Sequence, residues 1–418
     1  MRNEPGPFRA AWTLDPSITF LNHGSYGACP RAVLEAQSEL RARLESEPVQ
    51  FMSRELEARL DSARGALAAF LGADPEGLAF VTNATEGVNT VLQRIDLRPG
   101  DVLLTTDHAY GACKNILEFV AARSGASVVV ARVPFPLRDA REVVAAILAA
   151  LTPRTRVALI DHVTSPTGLI FPIEEIVAAL AARGIDTLVD GAHAPGMIPL
   201  QIDRLGAAYY TGNCHKWLCA PKGAAFLYAR ADRRASLRPL AISWGASSPR
   251  TDRSRYRLEH DWTGTFDPTA ALSVPVALEV MGRMLPGGWP ELMAHNRARV
   301  LEGRAILLER LGLEEPAPAS MIGSLASLPL PDRSPHEEAQ SHVFDPIADA
   351  LFTAHQIEVP VFPWPAPPKR LLRLSAQLYN QRGDYVALAA ALAQHGKASD
   401  SAPGVGAQRS GSSSAASG

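Results

Sequence analysis

Apolar positions along this chain follow two alternating patterns. Short apolar runs occur at Leu78–Thr82, Val102–Thr106, Ser127–Arg132, Val157–Asp161, Asp186–Asp190, Ala207–Thr211 and Ala224–Tyr228. Runs of this length, rich in β-formers, read as strands. Between most of them lie Glu86–Arg94, Ala112–Arg123, Arg141–Leu151 and Ile173–Arg183, where apolar residues recur at helical spacing. The alternation predicts an α/β architecture with a mostly parallel seven-stranded sheet covered on both faces. The last strands are joined by short links, which predicts an antiparallel part.

The same patterns divide the rest of the chain. Residues 1–20 contain Pro and Gly and read as an extended arm. Helical spacing covers 31–46, 53–71, 270–286 and 289–312, while Pro239 to Pro268 is polar and reads as irregular. A second, smaller α/β unit follows. It has extended runs at Ile322–Leu328, Ile357–Phe362 and Leu371–Ser375, and helices near 344–355 and 383–395. The expected organisation is an arm over 1–30, a large domain over 31–285 and a small C-terminal domain over 286–397. A disordered tail is expected over 398–418, which is rich in Ser, Gly and Ala.

In a parallel sheet, ligands sit beyond the carboxyl ends of the strands. The loops there carry the candidate chemistry. Asn83-Ala84-Thr85-Glu86-Gly87 follows the first strand and opens a helix, so its backbone N–H groups form a phosphate cradle or, more plainly, an N-cap. Asp107-His108-Ala109-Tyr110-Gly111 offers an aromatic ring to a flat heterocycle, or a ring for ordinary packing. His162, in Asp161-His162-Val163-Thr164-Ser165, is placed to meet a ring oxygen. Asp190 closes an apolar strand, is poorly hydrated there and needs a partner such as a protonated pyridine nitrogen or an arginine. Lys216 lies on the turn between two strands in Gly212-Asn213-Cys214-His215-Lys216-Trp217. Desolvation there lowers an amine's pKa and makes it nucleophilic toward an aldehyde. Asn22 and His23, in a loop punctuated by glycine, can reach a ligand. Arg373 sits in a Leu-rich run and must meet an anion or a partner.

Taken singly, each of these segments has a bland structural reading. Jointly they match the needs of pyridoxal 5'-phosphate: a phosphate cradle, a stacking ring, an acid for the pyridine nitrogen and a lysine for the aldehyde. Here the sequence resembles the class V aminotransferase family of fold-type I pyridoxal-phosphate enzymes, over residues 18–396, and within it the isopenicillin N epimerase-like branch. The resemblance rests on Leu-Asn-His-Gly-Ser-Tyr-Gly (21–27), Asn-Ala-Thr-Glu-Gly (83–87), Asp-Gly-Ala-His-Ala-Pro-Gly (190–196), Gly-Asn-Cys-His-Lys-Trp (212–217) and Trp-Thr-Gly-Thr (262–265). It implies that Lys216 forms the Schiff base and moves protons, that Asp190 pairs with the ring nitrogen, and that His193 lies near the phenolic oxygen. It also implies that Ala84, Thr85 and His215 bind the phosphate and that Arg373 binds the substrate carboxylate. Thr265 would reach the phosphate of a neighbouring subunit, giving a homodimer with shared sites. The stacking ring falls on Tyr110, with His108 as the alternative.

Within such a family the reaction can be epimerisation, carbon–sulfur lysis or transamination. Epimerisation at the Cα of an amino acid or amino-acid-containing substrate is the expected activity. It needs acid/base groups on both faces, with Tyr110, His108 or His23 opposite Lys216. A catalytically inert binding protein is opposed by the intact Lys216 and Asp190. Cysteine desulfurase chemistry is opposed by residues 320–372, which contain no cysteine.

Composition narrows this further. A net charge of −2 favours neither nucleic acid nor an anionic membrane surface. The four cysteines, Cys29, Cys113, Cys214 and Cys219, form no CxxC pair and no metal-ligand set. No signal core and no apolar run of membrane-spanning length is seen, so a cytoplasmic location is expected.

Overall fold

The computed structural model describes residues 6–333 and 345–400. Its main sheet has seven strands: β1 (Leu78–Val81), β2 (Val102–Thr106), β3 (Ser127–Ala131), β4 (Thr155–Asp161), β5 (Asp186–Asp190), β6 (Tyr209–Asn213) and β7 (Ala225–Ala229). Their spatial order is β1-β7-β6-β5-β4-β2-β3. The strands β3, β2, β4, β5 and β6 are parallel, while β7 runs antiparallel to both β6 and β1. The reversal follows from connection length. Parallel neighbours need a crossover, whereas residues 214–224 link β6 to β7 directly.

The helices α1 (Arg31–Ser46), α2 (Leu56–Leu71), α3 (Ala84–Leu92), α4 (Gly111–Ser124), α5 (Arg141–Ala149) and α6 (Ile173–Ala181) follow in this part of the chain. Apolar side chains bury on both sheet faces, as the continuous apolar strands require. Leu104, Ile160 and Val189 join one core; Leu103, Leu159 and Leu188 join another.

Three expectations change. The strand placed at Ala207–Thr211 lies at Tyr209–Asn213, because Ile202–Leu205 forms a helical turn closed by Gly206 at φ 69°. The shift brings Asn213 to the end of β6. The segment from Pro239 to Pro268 holds a helix at Arg255–His260 that buries Tyr256, Arg257, Glu259 and His260. Its charged sequence hid it, since beside Tyr256 it buries Arg257 and Glu259, each in an ion pair with a residue remote in sequence. Finally, 270–286 is two helices, Thr269–Leu272 and α7 (Val274–Gly282), because a proline in the first turn of α7 removes a helical N–H.

A smaller antiparallel sheet comprises β8 (Leu325–Leu330), β9 (Val361–Pro363) and β10 (Arg370–Ser375), with β10 central. It is accompanied by α8 (Gly288–Leu311), α9 (Pro346–His355) and α10 (Arg382–Asp400). Helix α10 therefore extends past 397, and the rest of the expected tail lies outside the described residues. The arm is tied down at two points. Thr19–Phe20 pairs in parallel with Ile357–Glu358, and the buried Trp12 donates its indole N–H to Ala28 O (3.1 Å).

Candidate active site

Lys216 sits on the turn between β6 and β7, and the backbone defines that turn tightly. The N–H groups of Cys214 and His215 both donate to Ala224 O (3.0 and 3.1 Å), and Cys219 N–H donates to Lys216 O (3.1 Å). The loop of residues 21–27 lies directly on it. Gly27 has φ 69°, and a side chain there would meet His215 O at 2.1 Å, so only glycine permits the approach.

The Lys216 amine is partly reachable from the cavity but otherwise enclosed. Burial, followed by the charge of Arg373, lowers its pKa to about 7. Its neighbour is His193 Nε2, 3.0 Å from Nζ. Trp217 Nε1, which can only donate, is 3.3 Å from His193 Nδ1. Nδ1 must then be the acceptor. Burial, with the Lys216 charge next, lowers the His193 pKa strongly, so the ring is neutral and its proton resides on Nε2. Nε2–H accordingly donates to the lone pair of an unprotonated lysine. The arrangement selects the nucleophilic form of Lys216.

The lysine opens on an inner chamber of about 400 Å³. Its walls include Asn83, Ala84, Thr85, Tyr110, Asp161, Asp190, His193, Asn213 and His215. Helix α3 points its N-terminus here. Asn83 Oδ1 accepts from Glu86 N–H (2.8 Å) and Glu86 Oε2 accepts from Thr82 N–H (2.8 Å), a reciprocal cap that fixes the entry. Ala84 N–H donates to Asn213 Oδ1 (2.8 Å), tying the helix to the end of β6. The Asp190 carboxyl accepts from Ala192 N–H (3.0 Å) and the Cys113 thiol (3.2 Å). Burial raises its pKa, while the thiol, the amide and the Lys216 charge oppose that rise. Burial, then the Lys216 charge, lowers the pKa of His215 to about 4.

An outer chamber of about 330 Å³ shares Ser25, Tyr26, Tyr110, Ser165 and Lys216 with the inner one, and adds Lys114, Phe362, Trp364 and Arg373. Arg373 is buried and, among the described residues, has no carboxylate partner. Its Nη1 donates to Ser165 O (2.8 Å) and Oγ (3.0 Å), and its Nη2 to Ser25 Oγ (2.9 Å). Nε has no partner. A buried guanidinium held only by neutral oxygens and lining a cavity is able to take an anion there.

Residues 20–284 match the family described as Aminotransferase class-V. The chain belongs to the class V aminotransferases. It is 37% identical over 403 residues to the isopenicillin N epimerase of Amycolatopsis lactamdurans, covering 92% of this chain and 97% of that protein. A putative L-cysteine desulfhydrase 2 of Oryza sativa subsp. japonica is 30% identical over 417 residues, covering 91% and 85%. Among solved structures, a cystine C–S lyase in complex with cysteine persulfide superposes with a TM-score of 0.73 at 23% identity, covering 90% of this chain and 97% of that one. The fold is fold-type I, and the cofactor of this class V enzyme is pyridoxal 5'-phosphate. The residues present fit it: an unprotonated lysine, a helix N-terminus, and a buried Asp190 aimed at the same chamber.

Of the residues read from sequence, Lys216, Ala84, Thr85, Tyr110, Asp190, His193 and His215 line the inner chamber, and Arg373 lines the outer one. The others are placed differently. His162 turns away; its Nδ1 meets Tyr210 OH at 2.9 Å, because strand alternation gives the cavity face to Asp161 and Val163 instead. His23 is fully buried, accepting from Tyr379 OH at Nδ1 (2.8 Å) and donating from Nε2 to Lys216 O (3.0 Å). It holds the lysine turn and reaches no chamber. Asn22 is also buried. It donates to Glu358 (2.9 Å) and accepts from Ser25 Oγ (2.5 Å), so it acts on Arg373 through Ser25. His108 is enclosed, bonded to Thr167 Oγ1 (2.7 Å) and Val133 O (3.0 Å), which leaves Tyr110 at the cavity. Thr265 is exposed and outside this chain's own chambers. Sequence reasoning missed Asp161, Asn213, Cys113, Ser25 and Ser165. Strand alternation would have found Asp161, since it ends β4 as Asp190 ends β5.

Proposed function

We propose that this enzyme is an epimerase of the isopenicillin N epimerase kind, inverting the Cα of an amino acid or amino-acid-containing substrate. The observation that carries the reading is that Lys216 and Tyr110 both open on both chambers, between the candidate cofactor walls and Arg373. In this reading Arg373 takes the α-carboxylate, with Ser25 and Ser165 setting its plane. Thr85, the α3 N-terminus and His215 hold the phosphate. Asp190 faces the ring nitrogen and His193 the phenolic oxygen. Bound pyridoxal phosphate supplies the electron sink that lets the Cα proton leave. Lys216 Nζ, whose pKa is lowered to about 7 by burial, takes that proton on one face in its unprotonated form. Tyr110, whose ring would stack on the cofactor, returns one on the other face through its phenol. With His108 and His23 turned away, Tyr110 is the remaining member of the trio considered for that face.

The 30% identical desulfhydrase relative supports a second reading, a carbon–sulfur lyase. Incubation with amino acids and cysteine conjugates in deuterated water separates the two. Cα deuteration with inversion is expected. Pyruvate or sulfide release without inversion would replace the epimerase with a lyase, and keto acid that depends on an acceptor would make it a transaminase.

We also propose a homodimer that completes each site through Thr265. Exposed Ile242, Trp244 and Phe266 near that segment support it. Sedimentation of wild type and of Trp244→Glu tests this; a wild-type monomer that still binds cofactor would overturn it. The domain bounds 31–285 and 286–397 belong to the same reading, and so does a cytoplasmic location. Among the described residues, no helix is long and apolar enough to cross a membrane.

A further inference from the structure

Two acids end neighbouring parallel strands in register: Asp161 on β4 lies opposite Asp190 on β5. Register partners on adjacent strands lie about 5 Å apart and point to the same face. Both line the inner chamber, at 3% and 4% exposure. Two carboxylates so close, with so little water, cannot both stay ionised. Their surroundings are unequal. Asp190 accepts from the Cys113 thiol and the Ala192 amide and lies near Lys216. Among the described residues, no side chain donates to Asp161. It faces its own N–H and that of Tyr110, with the Lys114 ammonium nearby. The donors therefore favour the charge on Asp190.

We propose that Asp161 is the proton-bearing member of a carboxyl pair, so that the chamber presents a single negative charge, on Asp190, to the cofactor's ring nitrogen. Asp161 is then a positioning residue: a neutral acid that keeps its neighbour's charge single and directed. The electrostatics agree. Burial, then the Asp190 charge, raises the Asp161 pKa well above the carboxylate range. A second carboxylate would also hold a proton on Lys216, opposing the unprotonated amine that His193 selects. The groups that face the pair are Cys113 and Lys114 on α4, Tyr110 at its entry, Tyr210 on β6, and Lys216 after it.

The assignment of the ring nitrogen rests on the cofactor reading, but the protonation state does not. Infrared difference spectra between wild type and Asp161→Asn, at pH 7 and without added cofactor, should show a protonated-carboxyl stretch that the variant lacks. Absence of that stretch from wild type, or its survival in Asp161→Asn, overturns the proposal. In Asp190→Asn the neighbouring charge is gone, so the same stretch should titrate away with a midpoint at least one pH unit lower than in wild type, a tenfold weaker proton affinity. An unmoved midpoint would sink the pairing even if Asp161→Asn did not fold. Adding pyridoxal phosphate to wild type is a separate test. A protein that gains no visible band would remove the cofactor reading and leave the carboxyl pair standing.

Discussion

Two buried charged clusters in this molecule are built on opposite rules. Along α2, Arg64 and the neighbouring Arg257 are almost fully enclosed, and each meets more than one carboxylate. Arg64 bonds Asp61 (2.8 Å) and Asp261; Arg257 bonds Asp61, Glu76 (2.8 Å) and Asp261 (3.3 Å). In the chambers, Lys216 faces a neutral imidazole, Arg373 has hydroxyl and carbonyl oxygens, and Asp190 has a thiol and an amide. The first cluster answers its own charges and is scaffold. In the second, Lys216 is held neutral and the charges of Arg373 and Asp190 are oriented by neutral groups, which raises the free energy of the fold and leaves them able to answer a ligand. The distinction lies in partner type, since the arginines of both clusters are equally buried.

Lys216 tests the contrast most severely. Lys216→Ala should lower turnover by about 10³-fold or more and abolish the visible band of lysine-bound cofactor. A residual band would break the assignment. Stability should move the other way. The folded pKa, about 7, is depressed from 10.5, so between those values the unfolded chain binds more protons than the native one. Stability of the cofactor-free protein should therefore rise as pH goes from about 7 toward 10.5. Lys216→Met should lose this group's share of that slope, which urea titrations at several pH values would detect.

Arg373→Ala comes next. Loss of a buried cation that meets a carboxylate typically removes roughly 10²–10³-fold in kcat/KM. Most of this should appear in KM, with the visible band retained. Equal kinetics on carboxylate and carboxamide substrates in wild type would remove the role. Arg257→Met is the scaffold control. It strands Glu76, which is 56% exposed and can rehydrate, while Asp61 and Asp261 keep Arg64 as a partner. A loss of about 2 kcal/mol in denaturant unfolding is expected, below the 3–5 of a fully buried pair, with kcat preserved in the folded fraction.

The contrast also explains what the sequence revealed. The strands were legible because each is a short apolar run, and the loops at their carboxyl ends line the chambers. Lys216, Asp190 and Arg373 stood out as polar residues closing or interrupting apolar stretches. The helix at Arg255–His260 was not legible, because its buried face is charged and its partners, Asp61 and Glu76, are remote in sequence. His23 and Asn22 read as ligand-reaching residues because a polar residue beside glycine looks the same whether it meets a ligand or a backbone carbonyl. Only the tertiary partners, Lys216 O and Ser25 Oγ, tell these apart. Asp161 was hidden by its neighbour His162, the more chemically suggestive residue of the pair.

The smallest effect belongs to that same Asn22 relay. Ser25 Oγ donates to Asn22 Oδ1 and accepts from Arg373 Nη2, so one hydroxyl fixes one edge of the guanidinium. Ser25→Ala removes that oxygen while Ser165 still holds the other edge. A net hydrogen bond of this kind contributes about 1 kcal/mol, which corresponds to a KM increase of roughly fivefold at unchanged kcat. Asn22→Ala should do the same and no more, and the double variant should be less than additive, because both substitutions cut one chain of contacts. Additive losses would mean that Asn22 reaches the substrate by another route. They would move it from the self-answered class of residue to the class left open for a ligand.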